Sequence, residues 1–428
     1  MIWGDEAPLK KCGPRQIRAL LWSGLFNCLP SSEGKVVGAL SDTSDVCQRV
    51  VSQQQYAALS WSFSVALTGR WPYEDHLGRR FTEKDGYRYH KRGTLLVPGG
   101  FKLALSGISG DLKHFKEEFT TTPNYSTSPH ICFMCKASVK GDDHFAYDPS
   151  LTASWATAPR PAHEHRSQSN LATIPGYSVF MMREDYLHID LQGVRPFVNG
   201  GCFQLALEAG CFGPPVTGGT GLSWQERMLP QLRWASQELR SYCNLHKLSC
   251  YIQPFKTCTL CLATLDSTPY LKAKAHAQAI VSLWLEDVME RCCVLDTSQE
   301  AKTAHMTIHG MNTSWHICQA VKDRQSIFMT ADEMHKLEEA RCQSLHGYHA
   351  LWTQSQELGK HRWGVIPKCH YMDHMYRRAI TTSVSMGTWW TFSDEDWIGR
   401  GAKLGSMVHA ASMNRRPLER WLVGFLCE

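Results

Sequence analysis

Apolar positions in the second half of the chain repeat at helical spacing. Between residue 224 and about 355, Leu232, Ala235, Leu239 and Tyr242 form one stripe, and Ile280, Leu283, Trp284 and Val288 form another. Recurrence at three and four residues predicts amphipathic helices. Leu112, Phe115 and Phe119 repeat that spacing in LKHFKEEF and predict a shorter helix. The stretch YRYHKRGTLLVPGGFKLALSGISGD predicts sheet instead: a TLLV run, a Pro-Gly-Gly turn, then FKLALSGISG closing on Asp111. The stretch YAALSWSFSVALTG alternates incompletely and ends at Gly69, so strand and short helix both fit. GYSVFMMREDYLHIDLQGVRPFVNGGCFQLALEAG predicts a strand running into a helix.

Residues 1 to about 55 carry little pattern. Residues 141–175, rich in Pro, Ser, Ala and His, predict a long loop. PPVTGGTGLS lacks the spacing and lysine of a phosphate loop and is a linker. Four segments result: a poorly patterned 1–55, a first part of the core at 56–200, a helical insertion at 201–355 and a C-terminal part of the core at 356–428.

Composition narrows the class. The 428 residues include 15 Trp, 14 Tyr and 16 Phe, which need a core and exclude global disorder. The net charge of +5 is compatible with a nucleic-acid partner without demanding one. The 17 Cys are an odd and high number. With no secretory signal in MIWGDEAPLKKC and no apolar run of membrane-spanning length, a soluble, intracellular, reduced protein without a membrane partner is expected. Its cysteines are then thiols or metal ligands.

Cys-x-x-Cys occurs at Cys132/Cys135 and at Cys258/Cys261, a spacing that suits two thiolates on one structural zinc. Cys243 and His246 complete a set around the second pair, on a helix where cysteine also serves as apolar filler. The first pair lies in a polar loop near His130, His144, His163 and His165. Asp394, Glu395 and Asp396 follow an aromatic run and open a helical stretch, where they fit either a helix N-terminus or a hard cation. Arg400, Lys403, Arg415, Arg416 and Arg420 behind them form a basic face, either solvated or phosphate-binding.

The order of GDLKHFKEEF, HICFMCKAS, REDYLHIDLQGV, IPKCHYMDHM and TFSDEDWIGR, preceded by LSWSFSVALTGRWPYEDHLGRRF, resembles a multicopy protein family of dinoflagellate algae. That family is in turn distantly similar to CACTA-type DDE transposases. The resemblance runs from about residue 55 to the end. It implies an α/β fold: a ribonuclease-H-like mixed sheet interrupted by a helical insertion, with a small zinc-knuckle-like Cys/His loop. It implies catalytic roles for Asp111 and Glu395, a zinc site at Cys132 and Cys135, and a D-x-x-H-I segment at Asp185, His188 and Ile189. His188 is the preferred third zinc ligand. The first catalytic Asp belongs on an opening strand; Asp45, ahead of Asp42, fills that role, although the usual neighbouring glycine is absent.

The implied function is a transposon-derived, metal-dependent DNA strand cleavage and transfer protein, active or degenerate, nuclear, with DNA as its partner and homo-oligomerisation open to it. Carboxylates of this kind hold two divalent cations about 3.5–4 Å apart, and Mg2+ suits the task. Asp111 and Glu395 are then expected to converge. Rival functions are a non-catalytic zinc-containing nucleic-acid or protein-binding module, and a zinc-dependent hydrolase built on the His-rich loop.

Overall fold

The computed structural model describes residues 1–8, 16–23, 36–42, 48–119, 128–140, 144–160, 169–213, 223–262, 267–407, 416–417 and 419. Helices dominate, and the strands of the described residues form a five-stranded mixed sheet.

Three strands come from the part of the chain with least pattern. β1 (Ile2–Pro8), β2 (Gln16–Trp22) and β3 (Val36–Asp42) form an antiparallel meander, with Ile2 opposite Trp22 and Ile17 opposite Asp42. β4 (Ile108–Gly110) runs parallel to β1, and β5 (Met182–Glu184) runs parallel to β4. The order is β3-β2-β1-β4-β5, and β2 alone runs against the other four. β4 is buried at all three positions, as expected for a parallel strand covered on both faces.

The predicted sheet over residues 87–111 shrinks to those three residues. Residues 87–91 form a short helix, and the TLLV run lies in a turn-rich excursion. Gly93, Gly99 and Gly100 there take positive φ, which ends an extended ladder, and Pro98 starts a 3-10 turn. The stretch YAALSWSFSVALTG resolves as helix, within α1 (Gln48–Thr68).

The short helix Tyr87–Lys91 is α2, and α3 (Leu112–Phe119) follows β4 directly. A π-helical segment, Leu187–Val194, leads from β5 into α4 (Arg195–Glu208). Then come α5 (Trp224–Leu245), α6 (Ala275–Leu295), α7 (Gln299–Asp323), α8 (Ala331–Arg341) and α9 (Gly347–Glu357). Capping boxes at Ser223/Glu226 and Thr330/Glu333 fix the starts of α5 and α8. The chain returns through α10 (Pro367–Thr382), with proline at its first position, and α11 (Phe392–Ser406), which packs on β1 and β2.

The helical core is aromatic. Trp284 of α6 lies against Phe203, Phe212 and Phe255 at centroid separations of 5.8, 5.7 and 5.9 Å. No described helix is long and apolar enough to cross a membrane.

One buried ion pair joins the helices to the π-helical segment. Arg195, fully buried, donates to Asp190 (Nη2 to Oδ2, 2.7 Å), Ser282 Oγ (3.0 Å), Asn312 Oδ1 (2.9 Å) and the Met311 carbonyl (2.9 Å). Removing one partner of such a pair strands the other charge. Asp190→Ala is therefore expected to lower stability by about 3–5 kcal/mol in urea unfolding. A loss below 1 kcal/mol would mean that water reaches Arg195.

Candidate functional site

Two clusters of chemically capable side chains each draw on α10. The first is sulfur and imidazole. Cys132, Cys135, His370 and His374 bring their ligand atoms within 4.8 Å of one another. The closest approaches are Cys135 Sγ to His370 Nε2 at 3.3 Å, Cys135 Sγ to His374 Nε2 at 3.4 Å and Cys132 Sγ to His374 Nε2 at 3.5 Å. A tetrahedral ion with ordinary Zn–S and Zn–N bonds needs S···N edges of roughly 3.5 Å. These four residues can therefore hold a metal ion such as zinc.

The surrounding bonds are those of a ligand set. His370 Nδ1 donates to the Ala146 carbonyl (2.9 Å), which fixes the tautomer and leaves the Nε2 lone pair facing Cys135. The Met134 amide donates to Cys132 Sγ (3.3 Å), and Arg160 Nε donates to the Cys132 (2.8 Å) and Cys135 (3.2 Å) carbonyls, clamping the knuckle. Trp155 packs edge-on to His370 at 4.5 Å and also covers His374. Burial drives the His374 pKa well below its usual range, so this imidazole is neutral and ready to ligate. Burial holds the Cys132 thiol well above the usual range, whereas its hydrogen bond to Cys135 lowers Cys135.

The expected ligand set is corrected in its second half. His188 is not near the cysteines; it belongs to the other cluster. His130 is exposed, and His163 and His165 lie outside the described residues. His370 and His374 sit four residues apart on α10, one above the other, which the HYMDH spacing signals once a helix is assumed. Cys258 is exposed, and the set Cys243, His246, Cys258 and Cys261 is not assembled; the Cys/His cluster above is the single such group among the described residues.

The second cluster is acidic, with two cations inside it. Asp185, buried just past β5, uses both oxygens. Oδ1 accepts from the Leu187 (3.0 Å) and Thr391 (3.0 Å) amides; Oδ2 accepts from the Thr391 hydroxyl (2.6 Å) and from His188 Nδ1. This ties the π-helical segment to the first residues before α11. His188 Nε2 then lies 3.7 Å from Glu395 Oε1. Burial disfavours its charged form, but Asp185, Glu395 and Asp111 outweigh that and raise its pKa to about 9. His188 is an imidazolium at neutral pH. Asp111 follows β4 and caps α3, its Oδ1 accepting from the His114 amide (2.6 Å).

Lys368, at the second position of α10, donates from Nζ to the His188 carbonyl (2.8 Å). It faces the charges of Asp111 and Asp185, and burial lowers its pKa nonetheless. Gly193 makes the passage: a Cβ there would lie 2.6 Å from Lys368 Cδ and 2.8 Å from the His188 carbonyl oxygen. Neither Lys368 nor Thr391 has a signature in the sequence; each is found through the contacts it makes.

Asp45 lies outside the described residues. Asp42 ends β3 at the sheet edge, with β2 and β1 between it and β4, about three strand spacings or 14 Å away. Sequence reasoning passed over Asp5, on β1. Ile2 pairs with Ile108 and Trp3 with Ser109, so two further residues along each chain bring Asp5 level with Asp111. Asp394 is buried, whereas Asp396 is exposed and pairs with Arg400 (3.1 Å). Lys403 is exposed, Arg416 pairs with Glu419 (2.9 Å), and Arg415 and Arg420 lie outside the described residues.

No protein-family model matches the chain, and no curated protein matches it either.

Two measurements follow from this geometry. Titration with Co2+ is expected to load one ion per chain with the visible absorption of a tetrahedral thiolate site, and Cys135→Ser or His374→Ala should abolish it. Unchanged loading in both variants would place the metal elsewhere. In the metal-free protein, the His188 imidazole should titrate near pH 9 by NMR, and Asp185→Asn should lower that midpoint. Its contribution to stability is full below the unfolded value of 6.5 and lost as pH rises through about 9, because the folded state holds the proton more tightly.

Proposed function

We propose that the protein is a DDE-transposase-like protein whose acids serve metal-dependent cleavage and transfer of DNA strands. The observation that supports the reading is the sheet: its order β3-β2-β1-β4-β5, with β2 alone reversed, is the one such a ribonuclease-H-like core calls for. On this reading Asp111 after β4 and Glu395 on the helix packed against β1 and β2 serve as two of the carboxylates, and Asp5, level with Asp111 in the register of β1, is assigned as the third. On this reading helices α4 to α9, between β5 and that last helix, make up the insertion.

Held by these carboxylates, divalent cations such as Mg2+ would activate a water or 3′-hydroxyl and stabilise the leaving oxygen. Asp185 has its acceptor sites taken and is a positioning residue: it orients His188 and, through Thr391, the start of α11. His188 and Lys368 offset repulsion among the acids. The Cys/His cluster, with zinc as its metal, fixes α10 and hence Lys368.

A second reading is a non-catalytic zinc-containing binding module. It is favoured by the two cations already placed among the acids and by the capping role of Asp111.

Nicking of supercoiled DNA decides between them. The first reading expects nicking that requires Mg2+ or Mn2+. Loss of outer partners at metal sites costs about 10–100-fold, so Asp111→Asn and Glu395→Gln should each cost at least that. Thr391→Ser should keep activity, whereas Thr391→Val should lose it. Nicking that survives Glu395→Gln would show the acids to be misassigned, and DNA binding with no nicking would favour the binding module.

A further inference from the structure

The excursion between α1 and β4 has no part in either cluster. Its neck is closed: Leu96 N–H donates to the Gly69 carbonyl (2.9 Å) and Leu103 N–H to the Ala66 carbonyl (3.1 Å). Gly69 has φ of 71°, and a Cβ there would meet Lys102 Cγ at 3.1 Å. Within, Trp71 and Gly93 exchange backbone hydrogen bonds with the opposite limb, Trp71 N–H to the Thr94 carbonyl and Gly93 N–H to the Trp71 carbonyl, both at 2.9 Å. Phe81 is buried as a small core of its own, and Trp71 meets Tyr87 edge-on at 5.4 Å. The excursion is thus a folded arm, and its root lies within ten residues of Asp111 along the chain.

The outward chemistry of the arm is unusual. From Arg70 to Lys102 it carries eight Lys/Arg against four Asp/Glu. Two of those acids are used internally: Arg79 bridges Asp75 (3.1 Å) and Asp85 (2.9 Å). Arg80, Lys84, Arg88 and Lys91 are exposed and join no ion pair among the described residues. Between them stand exposed rings: Tyr73 and Tyr87 are each 63% accessible and Phe101 is 76%. Lys91 Nζ lies 5.5 Å from the centre of the Tyr87 ring. A single exposed ring is ordinary on a surface; here the rings stand among cations that join no ion pair among the described residues. Cations interleaved with open aromatic faces suit a polymer of phosphates and planar bases.

We propose that this arm grips DNA, its cations on the phosphates and its rings against sugars or unstacked bases, without reading sequence. The inference rests on the DNA-directed reading of the acid cluster, and names a surface distinct from the basic face of α11.

Fluorescence anisotropy with the full chain and short single-stranded and duplex DNA tests it. The triple variant Arg80→Ala, Lys84→Ala, Lys91→Ala touches neither cluster and should keep the wild-type melting profile. Each lost phosphate contact removes about 0.9 from the slope of log affinity against log salt, so the slope should fall by about 2–3. Affinity at about 0.1 M salt should drop at least about tenfold for every sequence tried. Lys84→Arg with Lys91→Arg should bind as the wild type does. Wild-type DNA binding with unchanged affinity and slope in the triple variant would overturn the arm and leave the acid-site reading standing. A wild-type chain that binds no DNA would overturn both. A variant that alters the oligomeric state by light scattering but not DNA binding would show that the arm meets a second copy of the chain instead.

Discussion

The placement of α10 is the constraint on which the site depends. This single helix contributes Lys368 to the acids, His370 and His374 to the sulfur cluster, and Arg378 to β5, where Nη1 donates to Glu184 Oε2 at 2.7 Å. The Cys/His cluster joins segments more than 230 residues apart, as the Cys132–His374 and Cys135–His370 contacts show. A metal ion at that point would cross-link the knuckle to the last third of the chain, adding binding free energy to folding. Tyr371 reinforces the seam by donating its hydroxyl to the Ile131 carbonyl at 2.7 Å.

The electrostatics of the acid cluster follow from that seam. Carboxylates gathered at one end of a sheet repel, and burial makes the repulsion expensive. The chain answers with two cations: His188 from the π-helical segment and Lys368 from α10. A π-helical turn closes i→i+5 hydrogen bonds, which widens the helix locally, and often marks a site of function. Here it carries both His188 and Gly193, and the missing side chain of Gly193 gives Lys368 its route. The same segment is held from the far side by Asp190 and Arg195, so the helices brace the histidine indirectly.

Two features divide the work of the sheet. Its short parallel strands, β4 and β5, end one residue before Asp111 and Asp185, and so deliver these two acids from neighbouring strands. Its long meander supplies a surface for α11, which carries Glu395. Ser109 ties these parts together, its hydroxyl donating to the Trp389 carbonyl at 3.2 Å just ahead of α11.

The sequence by itself determined the local elements with strong periodicity or clear end signals. The stripes of α5 and α6, the LKHFKEEF helix and the opening of α11 at the acid run are all legible, because three-and-four spacing and helix-end chemistry act within a few residues. The Cys132/Cys135 pair was legible as half of a metal site for the same reason. The tertiary structure decided the rest. β1 to β3 escaped notice because pairing between strands, not alternation within them, makes them a sheet. TLLV read as strand because the turns created by Gly93, Gly99 and Gly100 depend on closing the arm. The partners of the cysteines, the approach of His188 to Glu395 and the arrival of Lys368 and Thr391 all join residues some 180 to 240 positions apart. Spacing along the chain carries no information about such contacts; they exist only when α10 and α11 dock against the sheet.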